Sequence, residues 1–252
     1  MFGNMRNIKL ILEYDGTNYH GWQTQARSGN ASIQETLELA LHVLTHEKVI
    51  TYSSGRTDAG VHAWGHVANF KTSNTIPGAA WAPALNNLLP PDIRVRESEE
   101  VAHDFHARYS ALAKTYKYLI LRRREPSALC RNFAWHINVP INVSNMRNGL
   151  KFLIGRHDFS AFQGSGCTAT SPVRTILSAS IKESGDFVEL QIEADAFLQY
   201  MVRIITGTLA EVGVGRFSPD DVKRILTSRD RKEAGKTAPS HGLYLVSVRY
   251  PY

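Results

Sequence analysis

Cysteine is scarce. Cys130 and Cys167 are the only two in 252 residues, and neither has a CxxC partner. That spacing argues against a zinc knuckle and against a disulfide framework, so a reducing cytoplasm is the expected setting. Long apolar runs are also missing: no stretch approaches the roughly 20 residues that span a bilayer. The opening, MFGNMRNIKL, has no apolar core followed by a small-residue cleavage site, so no secretory signal is expected. There is no HExxH and no Cys/His set at ligand spacing. His62 and His66 fall on a predicted strand, where positions four apart lie roughly 13 Å from each other, too far for one ion. His103 and His106, with Asp104 nearby, and His66 are expected as surface or cap residues, and no metal is expected.

What is present is ordinary for a globular protein: 43% hydrophobic and 21% charged residues. The length allows one large domain or two of roughly 100–150 residues. Lysine and arginine number 29 against 23 acids, a net charge of +6. Such an excess is compatible with a polyanionic partner, although it speaks to association and not to chemistry.

The first hundred residues read β-α-β-β-α-β. IKLILEY at 8–14 alternates as a strand, and Ser32 with Glu35 forms a capping-box signature before a helix to about His46. Strands follow near 48–52 and over 61–70, a short helix opens at Pro83 with Leu85 and Leu88 inward, and DIRVRE closes the unit. The second half reads as a strand at 114–121, a helix at 143–154, strands at 173–182 and 186–194, and a helix at 197–213. Phe197, Met201, Ile204, Ile205, Thr208 and Val212 share one stripe of that helix. Ser218-Pro219 opens a further helix, and GLYLVSVRY is the final strand. The division is expected at 105/106, giving domains 1–105 and 106–252, packed together because no Pro/Gly linker separates them.

SSGRTDAGVHA at 53–63 is the most informative segment: a turn between two strands, bracketed by glycines that permit close backbone approach. Arg56 and Asp58 can pair across such a turn, which would keep Asp58 ionised as a nucleophile requires. The alternative is an Asx-type turn with Asp58 accepting backbone hydrogen bonds. Arg122, Arg123, Arg124 and Arg131 form either a phosphate-binding patch or a solvated loop. Arg6, Lys9 and Arg27 have no role readable from position.

GRTDAGVHA is similar, residue for residue, to the catalytic motif of the tRNA pseudouridine synthase A family. The likeness extends through YDGTNYHGWQTQ (14–25), FHARYSA (105–111), KTYKY (114–118), HDFSAF (157–162), FLQYMVRIITGTLAEVG (197–213) and GLYLVSVRYP (242–251), in the family's order. The resemblance implies an α+β fold: two similar α/β domains with mostly antiparallel sheets joined across a central basic cleft, the N-terminal one carrying the catalytic Asp loop. It further implies a homodimer that binds the anticodon stem-loop of tRNA, and isomerisation of uridine to pseudouridine at positions 38–40. Carried over by motif, the nucleophile is Asp58, its arginine partner Arg56, the tyrosine against the target uracil Tyr116, and a further arginine near the aspartate Arg203. His62 lies in the motif and is expected to touch RNA. By pattern alone Tyr116 is equally a core tyrosine, and Arg203, off the apolar stripe, a solvated cation.

The reaction breaks N1–C1′, turns the base and rejoins it through C5. It consumes no oxidant, water or group donor, so no cofactor is expected. A carboxylate suits an electron-poor C1′, as in glycoside chemistry, and an aromatic ring suits a base taken from its stack. Two other classes stay in view: a non-catalytic RNA-binding module and a metal-dependent nuclease.

Overall fold

The structure, a computed structural model, describes residues 5–24 and 31–251. Gln25 of the first motif and Arg27 lie outside the described residues. The chain divides into two compact units, Met1–Leu112 with Leu245–Tyr252, and Ala113–Tyr244. Sheet pairing is mostly antiparallel, with one short parallel strand, so the class is α+β.

The first unit runs β1 (Arg6–Tyr14), α1 (Ile33–Thr45), β2 (Thr51–Ser53), β3 (His62–Thr72), α2 (Trp81–Asn86) and β4 (Ile93–Val101). β10 (Leu243–Arg249) adds most of its length, giving the order β4-β1-β3-β10 with β2 on β3. Alternation in β1 does what period two requires: Ile8, Leu10, Leu12 and Tyr14 are all buried. α1 begins at the expected capping box, Ser32 accepting from the Glu35 amide while Glu35 accepts from Ser32 N. α2 opens before Pro83, because a 3-10 turn at Gly78–Ala80 leads straight into Trp81 and leaves the proline in the first turn, where it is tolerated. Leu88 then falls beyond the helix and is exposed, not inward as expected.

A buried amide pair explains where this unit's first chain segment ends. Asn69 donates to Asn7 Oδ1 (2.9 Å), and Asn7 donates to the carbonyls of Ala102 and Phe105, both at 2.9 Å. Asn69 Oδ1 in turn accepts from the Ala107 amide at 2.9 Å. Tyr250 Oη donates to Ala107 O (2.7 Å), and Leu112 N donates to Arg249 O (2.8 Å). Residues 102–112 are thereby bound to β1, β3 and the C-terminal segment.

The second unit contains β5 (Ala113–Arg122), β6 (Trp135–Ile137), α3 (Val143–Lys151), β7 (Gly155–Asp158), β8 (Val173–Ser184), β9 (Phe187–Ala194), α4 (Met201–Gly213) and α5 (Pro219–Ser228). Its sheet has the order β5-β9-β8-β7, with β6 parallel to β5. β6 and β7 are too short to leave a period in the sequence. α4 starts at Met201, four residues later than expected, because Tyr200 takes a left-handed conformation (φ 61°) that no α-helix continues through. Phe197 therefore precedes the helix, and nearly every residue of α4 is buried, as befits a helix enclosed on all sides and not on one stripe. α5 carries a second capping box, Ser218 with Asp221, and Pro219 at its first position.

Truncating Asn69 to Ala would leave the buried Asn7 Oδ1 without its donor and the buried Ala107 N–H without its acceptor. Urea denaturation is expected to show Asn69→Ala losing about 2–3 kcal/mol, against about 1 kcal/mol for Ser218→Ala at the α5 cap. Equal losses would show that the amide pair does not hold residues 102–107.

Candidate active site

Ser54–Val61 connects β2 to β3, closed at its base by Ser54 N donating to Val67 O at 2.8 Å. The segment 15–24 grips it. Thr57, immediately before Asp58, is buried; its hydroxyl lies 2.8 Å from Tyr14 Oη, and its carbonyl accepts from Trp22 N at 3.1 Å. Beyond Asp58, Gly60 N donates to Tyr19 O (3.3 Å), and Val61 N donates to the Asp58 carbonyl (3.1 Å). The two strands of backbone approach so closely that side chains are excluded. A Cβ on Gly21, which has φ +85°, would stand 2.3 Å from Thr57 O and 2.9 Å from the Asp58 carbonyl carbon. A Cβ on Gly16 would stand 2.0 Å from Val61 O. These contacts are the physical content of the two glycines in YDGTNYHGWQ.

A buried polar layer supports the loop. Tyr14 Oη, besides meeting Thr57, lies 3.0 Å from His66 Nδ1, and the His66 ring stacks on Trp22 at 4.1 Å and 12°. His66 is thus a core residue and not a surface or cap one. His106 does cap a turn, its Nδ1 accepting from Arg108 N, and His103 is exposed. His62 is buried, with Nδ1 3.1 Å from the Gly16 amide and 3.1 Å from Asp15 Oδ1. With Nδ1 bare it accepts from the amide; protonated there, it donates to Asp15. Tyr19 donates to Asp92 Oδ1 at 2.7 Å, and burial, followed by that bond and the carboxylates of Asp92 and Asp15, pushes its phenol above the usual range.

Asp58 is half-buried, on backbone pinned at both flanks. Arg56, two positions before it, is exposed. With Thr57 between them turned inward to Tyr14, Arg56 extends into solvent.

Tyr116 and Arg203 belong to the second unit. Tyr116 sits in β5 opposite Ile192, is 8% exposed, and meets Phe197 edge-on at 5.0 Å and 82°. Arg203, half-buried in the first turn of α4, donates from Nε to Ala238 O at 2.8 Å, and its guanidinium lies 4.9 Å from the centre of the Tyr200 ring. Residues 197–200 thus touch both: Phe197 backs the tyrosine and Tyr200 the arginine. Left-handed tyrosines are rare and strained, and such strain concentrates at functional sites.

Elsewhere in that unit, Arg122 pairs with Glu183 at 2.9 Å, Arg123 with Asp186 at 3.6 Å and Arg124 with Glu125 at 3.6 Å. Arg131 donates to the Ala128 carbonyl. Three of the four loop arginines therefore already face a carboxylate. Among the described residues no group of three or more His, Cys, Asp or Glu side chains is placed to hold a metal ion, and no helix is long and apolar enough to cross a membrane.

A family model described as tRNA pseudouridine synthase matches residues 10–110 and 150–251. The chain belongs to that family. With it, the chain is an isomerase acting on tRNA. Among similar proteins, the tRNA pseudouridine synthase A of Acetivibrio thermocellus is 50% identical over 246 residues, covering 98% of this chain and 100% of the relative. The synthase A of a Thermoanaerobacter species is 48% identical with the same coverages, and the synthase A 2 of Clostridium perfringens is 49% identical, again over 98% and 100%.

Tyr14, Gly16, Gly21, Trp22, Thr57 and His66 do not stand out when residues are read one at a time. For Tyr14, Gly16, Gly21 and Trp22 the signal lies in the block at 14–25, whose glycines and aromatics have no other account. Adding a Cβ at Gly21 should displace Asp58 without unfolding the unit. Gly21→Ala is expected to lower pseudouridine formation about a hundredfold while leaving the circular dichroism spectrum intact; near-normal turnover would show that the grip on the loop is irrelevant to activity.

Proposed function

We propose that this chain converts uridine to pseudouridine at positions 38–40 of the tRNA anticodon stem-loop, with Asp58 as the nucleophile. The observation that carries the reading is the mounting of Asp58: a half-buried carboxylate whose preceding residue is held by Tyr14 and Trp22, and whose following turn is held by Tyr19. An Asx-type turn alone would need no such support from a second loop. Preorganised groups on fixed backbone are what transition-state stabilisation requires.

The chemistry asks little else of the protein. The N1–C1′ bond breaks, the uracil turns, and C5 bonds to C1′; C5 gives up its proton and N1 gains one. Atoms balance without a donor. The carboxylate of Asp58 stabilises or traps the electron-poor centre created when the base departs. Tyr116, backed edge-on by Phe197, offers a ring for the displaced base. Arg203, held by Ala238 O and the Tyr200 ring, offers fixed positive charge. Exposed Arg56 is suited to an RNA phosphate, and buried His62 supports the loop through Gly16. The working form is a homodimer in the cytoplasm, in keeping with two free thiols at Cys130 and Cys167; light scattering of the purified protein should give twice the chain mass.

Asp58→Asn keeps shape and removes the nucleophile. It is expected to bind tRNA as the parent does and to form no pseudouridine; product from the substituted chain would refute the assigned role, and loss of binding would make the residue structural. Tyr200 provides a second test. Tyr200→Phe keeps the ring under Arg203 and should retain activity, whereas Tyr200→Gly relaxes the backbone, removes the ring and should lower kcat with little change in KM. Full activity after Tyr200→Gly would remove Tyr200 from the account.

A further inference from the structure

Away from Asp58 in the chain, the first unit carries a row of rings open to solvent. Tyr52 on β2 lies 5.1 Å from His106 at 49°, and His106 lies 4.4 Å from Tyr109 at 41°. Tyr109, at the tip of the turn, is 77% exposed and Tyr52 is 42% exposed. The Arg108 guanidinium stands 5.7 Å from the centre of the Tyr109 ring. Large aromatic side chains left this open on a folded surface ask for a reason.

The row is built to stay in place. His106 N donates to Ser110 Oγ at 3.1 Å, Ser110 N donates to the His106 carbonyl at 2.9 Å, and Arg108 N donates to His106 Nδ1 at 3.1 Å. Burial, with Arg108 nearby, holds the His106 imidazole below its ordinary range. Beneath the turn, the Asn7–Asn69 pair and Tyr250 fix Phe105 and Ala107. Phe105 packs on Tyr250 at 5.0 Å, and the Lys9 ammonium lies within 6.0 Å of both rings. Polar bonds that hold open rings in fixed positions remove the ordering cost that a binding partner would otherwise meet.

We propose that Tyr52, His106, Tyr109 and Arg108 form a stacking platform for an unpaired base of RNA, separate from the chemistry at Asp58. Neutral rings in a row with a guanidinium at the exposed end are the elements of single-strand recognition: a π-face for any base and a cation for its phosphate. A duplex, whose bases are already stacked, has nothing to offer the rings. The proposal rests on the substrate being an RNA with unpaired bases, as the proposed function holds.

The test compares binding of an anticodon stem-loop RNA and of a blunt duplex made from its stem, by fluorescence anisotropy across a salt series. Tyr109→Ala should weaken the stem-loop complex roughly tenfold and leave the duplex complex unchanged, while Tyr109→Phe binds both as the parent does. Arg108→Gln should weaken both and flatten the dependence of log K on log salt by about 0.7–0.9. The platform is overturned if Tyr109→Ala binds the stem-loop at full strength, if it loses the duplex equally, or if Tyr109→Phe is as weak as Tyr109→Ala. It is equally overturned if Tyr109→Ala alters the oligomeric state and not RNA binding, which would assign the row to a protein interface. Those failures would leave the catalytic reading standing; a parent chain that bound neither RNA would end both.

Discussion

The chemistry proposed for Asp58 depends on how closely one loop is held against another. Thr57 surrenders its carbonyl to Trp22 and its hydroxyl to Tyr14, and Gly21 gives up a side chain so that the backbone of Thr57 and Asp58 can come within reach. Two separate hydrogen bonds are individually worth only about 1 kcal/mol each. Their value here is geometric: with the residue before Asp58 fixed and the turn after it tied to Tyr19, the carboxylate has few places to go. A nucleophile mounted this way does not have to be ordered anew at every encounter.

Polar contacts, more than apolar ones, decide the local geometry that matters for function. The apolar alternation of β1 builds a core, but it is the buried Asn7–Asn69 pair that ties residues 102–107 to that core. In the second unit the burial of α4 fixes a helix, while the left-handed Tyr200 and the Arg203–Ala238 bond decide where the arginine is aimed. Buried polar networks have this property because an unsatisfied member is costly, so few alternative arrangements survive.

Much of this is legible in the residues alone. Strands β1, β5, β8 and β9 and helices α1, α3 and α5 follow from alternation, capping boxes and turn residues, all of them local signals. The start of α4 is not legible, because apolar spacing continues through Phe197 and nothing in the residue type of Tyr200 marks a left-handed stop. His66 reads as a surface residue since its burial comes from Trp22, more than forty positions away. In each case the deciding contact lies in the folded chain, and no periodicity encodes it.

The central claim is that this chain makes pseudouridine in the anticodon arm. It is tested most directly by incubating the purified protein with an unmodified tRNA transcript bearing uridines at positions 38–40 and mapping pseudouridine at single-nucleotide resolution. The account predicts conversion confined to those positions, undiminished by EDTA. An unmodified arm after prolonged incubation, conversion elsewhere in the tRNA, or cleavage of the RNA in place of isomerisation would contradict it.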